Sequence, residues 1–125
     1  MTADDASGIV LDAALRVHTR LGPGLLEGAY EACLAHELRE RGLRVNTQHP
    51  LPVLYDGVRI ELGYRLDLLV EDALVVEVKA VAKLLPIHHA QLLSYLKLSG
   101  HTIGLLINFH TLHLKDGIKR MVNNL

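Results

Sequence analysis

The spacing of apolar residues changes along this chain, and each change marks a different kind of element. Over residues 8–21, Val10, Ala14, Val17 and Leu21 recur at the interval of a helix with one buried stripe. Ser7 is the expected N-cap, and the "LGPG" at 21–24 stops the helix because neither proline nor glycine continues it well. A second helix over 25–41 gathers Leu26, Tyr30, Cys33, Leu34 and Leu38 on one side, with Gly42 where a left-handed C-cap belongs. The short linker makes the two helices packed neighbours.

The period then drops to two. Val45, Thr47, His49, Leu51, Val53 and Tyr55 alternate as a half-buried strand does. Pro50 and Pro52 remove amide donors from one side of it, which predicts a strand at a sheet margin. Asp56-Gly57 suits a tight hairpin turn. A strand over 58–70, bent at Gly63, and another over 74–79 follow. Pro86 opens a third helix over 86–99 and Gly100 closes it. "HTIGLLINF" at 101–109 reads as a buried strand, and 112–122 as a strand pair turned at Asp116-Gly117. The order α-α-β-β-β-α-β-β predicts one α/β domain over residues 1–125, a mixed sheet covered by helices, with residues 1–7 as a loose start.

Charges interrupt the likeliest core strands, in "GYRLDLLVEDALVVEVKA" at 63–80. Alternation puts Leu66, Leu68 and Val70 on one face of the first strand, and Arg65 and Asp67 on the other. In the second strand Val76 and Val78 oppose Val75, Glu77 and Lys79. A two-residue turn at Glu71-Asp72 would pair Asp67 with Val76. A three-residue loop pairs Asp67 with Glu77 and Arg65 with Lys79. Glu-Asp is poor chemistry for a turn needing positive φ twice, so the longer loop is expected. Two facing carboxylates then repel by about 3 kcal/mol at an effective dielectric of about 20. A shared proton, the neighbouring Arg65 and Lys79, or a divalent cation can offset that. Oxygen donors without histidine or cysteine suit magnesium or manganese.

Composition narrows the field of functions. Half of the 125 residues are apolar and 4% are aromatic, so aliphatic side chains build the core. The net charge of −1 announces no nucleic-acid partner through bulk electrostatics. Cys33 is the only cysteine, which excludes an internal disulfide, a four-cysteine zinc site and a cysteine-ligated iron–sulfur cluster, and disfavours a redox protein. Its place on an apolar stripe makes it a small packing residue. The eight histidines show no zinc-binding spacing, and His88, on the face shared by Gln91 and Tyr95, is at most a supporting residue. No apolar run is long enough to cross a bilayer, and "MTADDASG" is unlike a signal peptide, so a cytoplasmic address without membrane contact is expected.

Asp67 followed by Glu77-Val78-Lys79 resembles the D…ExK core of the PD-(D/E)XK nuclease superfamily, although Leu66 replaces the proline of its first element. Gln91 and Tyr95 in "QLLSY" match the QxxxY element of its RecB-like and lambda-exonuclease-like branch. "GLLEGAY" at 24–30, with "LPVLYDG", "GYRLDLLVE" and "GLLINF", resembles the GxxExxY protein family, and the likeness covers residues 8–122. The resemblance implies a restriction-endonuclease-like three-layer α/β/α sandwich with a mixed central sheet. It implies a magnesium- or manganese-dependent nuclease acting on DNA, with Asp67, Glu77, the Val78 carbonyl and Glu27 as metal ligands. Lys79 would then orient water or stabilise negative charge, and Gln91 and Tyr95 would orient Lys79 or a phosphate.

Plainer readings stand beside these. Glu27 also suits the start of its helix electrostatically, Tyr30 lies on the apolar stripe as a packing residue, and Gln91 and Tyr95 also suit a helix boundary. Lys115, Lys119 and Arg120 are the cations available for phosphate contact, or an ordinary solvated face. The alternative function is a catalytically silent nucleic-acid-binding or assembly module. A core this small and this neutral also leaves room for a homo-oligomer or an accessory protein in substrate recognition.

Overall fold

A computed structural model describes residues 1–124. Helix α1 (Ala3–Leu21) starts five residues before the expected position. Thr2 and Asp5 form a reciprocal capping box, in which the Thr2 hydroxyl accepts from the Asp5 amide at 3.1 Å and the Asp5 carboxylate from the Thr2 amide at 3.0 Å. That cap extends the helix through most of the segment expected to be loose, and Ser7 is a buried helical residue instead of a cap. Helix α2 (Glu27–Glu40) follows, and Gly42 has the expected positive φ of 84°.

The strand expected over 45–55 is two strands, because the proline-flanked Leu51 breaks it. β1 (Val45–Pro50) lies at one margin of the main sheet, as Pro50 at its end allows. β2 (Val53–Tyr55) pairs only with β3 (Val58–Ile60) across the Asp56-Gly57 turn, whose φ values of 52° and 74° fit the primed hairpin type. The chain is again irregular through Gly63 (φ 79°) before β4 (Arg65–Val70). β5 (Leu74–Lys79), helix α3 (Pro86–Ser99) and β6 (Ile103–Asn108) fall where the sequence pattern puts them.

The C-terminal pair is half right. Residues 114–117 form a single 3₁₀ turn, and only β7 (Ile118–Val122) is a strand. A Cβ on Gly117 would collide with the carbonyl oxygen of Asn108, so the chain folds tightly back on the end of β6 where a hairpin strand was expected.

The main sheet runs β1-β4-β5-β6-β7 and is mixed: β5 and β6 are parallel and the other pairings antiparallel. Helices α1 and α2 cover one face through Val10, Ala14, Tyr30, Leu34 and Leu38, packed with Leu68, Val76, Val78 and Leu105. Helix α3 covers the other, where Leu92 and Leu96 meet Leu69, Val75 and Leu106. This is the α/β sandwich expected, with its most buried strands, β5 and β6, at the centre.

Gly117→Ala is expected to cost about 2 kcal/mol or more through overpacking against backbone. A denaturant-unfolding midpoint equal to that of the parent protein would contradict this.

Candidate metal centre

The three-residue loop Glu71–Ala73 sets the register of β4 and β5. Val70 pairs with Leu74, Leu69 with Val75 and Leu68 with Val76, and the pairing stops before Asp67 and Glu77. The loop length is the one expected, but the conformational argument for it fails. Glu71 and Asp72 both adopt positive φ, 54° and 51°. Local bonds hold that conformation: Val70 O accepts from Ala73 N at 3.0 Å, and Glu71 N donates to Arg44 O at 2.9 Å. The Glu71 carboxylate also accepts from Arg44 N at 2.7 Å. That bond holds the Glu71 carboxyl below its ordinary pKa.

Beyond Leu68 and Val76 the regular ladder ends and side chains take over. The Asp67 carboxylate accepts from the Val78 amide at 2.8 Å, and Glu77 Oε1 accepts from the Asp67 amide at 3.4 Å. Each acid thus satisfies a backbone donor of the other strand. A residue's N–H and C=O point to the same side of a strand, and Lys79 O is directed to Phe109 N. The Val78 carbonyl therefore faces the same parting as its amide. Leu66 departs from the expected face: it packs with Leu51 in the α3-side cluster, while Leu68 packs under α1 and α2. Opposite Asp67, Gln48 has a φ of 50° and interrupts the β1–β4 ladder.

Carboxylates from α2 reach the parting. Glu27 Oε1 accepts from the Ala80 amide at 3.2 Å. Glu31, one helical turn later, was not singled out by any motif. It accepts from Gln48 Nε2 at 2.8 Å, and the same amide nitrogen lies 3.4 Å from Asp67 Oδ1. Its signal in the sequence was the four-residue spacing from Glu27, which puts both acids on one helix face. Burial, then the charge of Asp67, raises the Glu31 pKa against the lowering effect of Gln48.

From α3, Gln91 Oε1 accepts from Lys79 Nζ at 3.5 Å, while Gln91 Nε2 donates to the Tyr95 hydroxyl at 3.1 Å. Burial and the nearby Glu77 raise the Tyr95 pKa. His88 serves elsewhere: its Nδ1 accepts from Leu85 N at 2.9 Å and caps α3. Tyr30 is structural, stacked on Phe109 with centroids 4.7 Å apart. Its hydroxyl donates to Gly22 O at 2.6 Å and accepts from Leu25 N at 3.0 Å, so it fixes the linker that delivers Glu27. Lys115, Lys119 and Arg120 make no common surface. Arg120, opposite Leu105, pairs with Asp4 of α1 at 2.6 Å, whereas Lys119, opposite Leu106, points to the α3 side.

Glu77 is the most constrained group. It is only 4% exposed, and burial, reinforced by Asp67, pushes its pKa up to about 9. Among the described residues neither Arg65 nor Lys79 forms an ion pair with Asp67 or Glu77. Nor do three His, Cys, Asp or Glu side chains there stand close enough for a ready-made ion cage. The carboxylates are spread among backbone and amide donors. As a donor set, Asp67, Glu77, Glu27, Glu31 and the Val78 carbonyl fit a hard divalent cation such as magnesium, because all are oxygens and Glu77 is buried beside a second acid.

Comparison with protein-family models matches residues 4–121 to the PD-(D/E)XK nuclease superfamily. No curated protein matches the chain significantly, and neither does any solved structure. No helix among the described residues is long and apolar enough to cross a membrane.

An acid whose pKa is higher folded than unfolded binds more protons in the native state. The free energy of unfolding should then fall as pH rises from about 4.5 towards 9, by at most about 1.4 kcal/mol per pH unit for Glu77 alone. Thermal melts in EDTA should show this decline, and Glu77→Gln should flatten it. An equally steep decline in the variant would assign it to other groups.

Proposed function

This chain belongs to the PD-(D/E)XK nuclease superfamily, and from that premise we propose that it is a magnesium- or manganese-dependent nuclease hydrolysing phosphodiester bonds of DNA. Within the superfamily we assign it to the GxxExxY family, on Gly24, Glu27 and Tyr30, and we treat the chain as one nuclease-like domain. The observation that carries the reading is the parting of β4 and β5, where Asp67 and Glu77 face each other beside Lys79. Such a juxtaposition is costly for stability and useful for binding a cation.

In this reading Asp67, Glu77, Glu27 and the Val78 carbonyl hold the cation. Once bound, it supplies Lewis acidity towards a phosphate oxygen and lowers the pKa of a coordinated water. Lys79 contributes a fixed positive donor on the face of Glu77. Gln91 restrains its ammonium group through the 3.5 Å contact and is itself oriented by Tyr95. A donor held this way stabilises the charge that builds on a phosphate oxygen without first having to reorganise. Glu27, bound to the Ala80 amide, fixes the chain just after Lys79.

Labelled single- and double-stranded DNA and RNA, incubated with magnesium, manganese or EDTA, test the activity. Metal-dependent cleavage is expected, reduced about a hundred-fold or more in Lys79→Ala. Calorimetric titration with manganese should show binding that Asp67→Asn weakens and Lys79→Ala preserves. Cleavage undiminished in Lys79→Ala would sink the mechanism. Metal binding without cleavage of any substrate would favour the silent binding module.

A further inference from the structure

The chain has five phenyl and phenol rings, four tyrosines and one phenylalanine. Tyr30 and Phe109 are used in the core. Tyr95 belongs to the polar relay that holds Lys79. Tyr64 has neither role. Its ring centre is 6.2 Å from that of Tyr95, tilted by 52°, yet the residue remains 46% exposed. Its backbone is anchored, because Tyr64 O accepts from Leu51 N at 2.8 Å. The ring thus stands on fixed backbone at the rim of the carboxylate site, with one side against Tyr95 and much of the rest in solvent.

The surroundings fit a flat, apolar ligand better than a polyanion alone. Leu62, two residues earlier, is 61% exposed, and Tyr55 of the β2–β3 hairpin is 67% exposed. Arg65, also exposed, follows Tyr64 directly. Phosphate attraction is weak overall: the net charge is −1, Arg59 is tied to Glu61 at 2.6 Å, and Lys119 and Arg120 lie on opposite faces. Affinity for nucleic acid must then draw on something other than backbone charge. Stacking of a base on an aromatic ring supplies it, independently of sequence. Within a duplex both faces of a base are covered by its neighbours, so a ring at this rim can stack only on an unpaired or terminal base.

We propose that Tyr64 is a base-stacking platform that makes single-stranded DNA the preferred ligand of this site. The inference rests on the nuclease reading above and adds the strandedness of its substrate. An unpaired nucleotide lies on Tyr64 beside Tyr95, and the adjoining phosphate is directed towards Lys79 and the carboxylates. Tyr64 is a specificity residue and takes no part in bond cleavage.

The test uses a short oligothymidylate carrying one 2-aminopurine, and a covalently closed circular duplex, which offers no terminal base, bound in calcium to limit turnover. Binding of the single strand should quench the 2-aminopurine emission, as stacking does. Tyr64→Leu should lose that quenching and bind the single strand about five-fold or more weakly, the lower end of one base–ring stack. Tyr64→Phe should retain both, duplex affinity should be the same in all three proteins, and the Tyr-to-Leu ratio should be insensitive to salt. If Tyr64→Leu binds the single strand as parent does, or loses duplex and single strand equally, the inference falls while the nuclease reading stands. If the parent protein binds and cleaves no nucleic acid of either form, both fall.

Discussion

The site depends on one exchange between two strands. Where β4 and β5 part, the Asp67 carboxylate takes the Val78 amide and the Glu77 carboxylate takes the Asp67 amide. Backbone donors that a closed ladder would consume are satisfied by acids instead, so the sheet can open without leaving amides unpaired. The opening has consequences in both helical layers. Glu27 and Glu31 reach it from α2, and Gln91 and Tyr95 approach from α3. A fully paired strand couple would present these groups with a continuous apolar floor.

Much of this was legible because a sheet allows few choices. The three-residue loop between β4 and β5 sets a register that ends at Leu68 and Val76, and Asp67 and Glu77 come next to each other just beyond it. Pro50 and Pro52, at and just past the end of β1, gave its marginal place, and Pro86 and Gly100 gave the bounds of α3. Other features depended on contacts that no local pattern encodes. The positive φ of Glu71 and Asp72 is stabilised by Arg44, distant in sequence. The fold-back at Gly117 follows from the Asn108 carbonyl, and Glu31 acquires meaning only when Gln48 brings it near Asp67. In each case tertiary packing overrides a local rule.

The spacing of Gly24, Glu27 and Tyr30 also gains a physical explanation. The tyrosine works on the linker: its buried ring stacks on Phe109, which extends β6, while its hydroxyl binds backbone on both sides of the Gly-Pro-Gly turn. The start of α2 is therefore tied to the centre of the sheet. Glu27, the first residue of that helix, inherits the position and meets the Ala80 amide just beyond β5. One residue anchors and the other presents a carboxylate, so losing either would disturb the same end of the site.

The same logic sets stability against chemistry at Glu77. A leucine there would pack against Leu106 and Val75 without desolvating a charge, and large buried ionic groups are commonly replaceable by apolar ones at no loss. Keeping an acid that burial drives to a pKa of about 9 makes the fold weakest where the acid must ionise. A divalent cation held there would reverse that sign, because it would favour the ionised form and the folded arrangement. The strain in this sheet is thus oriented: it is largest when Glu77 is charged, and a cation bound by that donor set would relieve it.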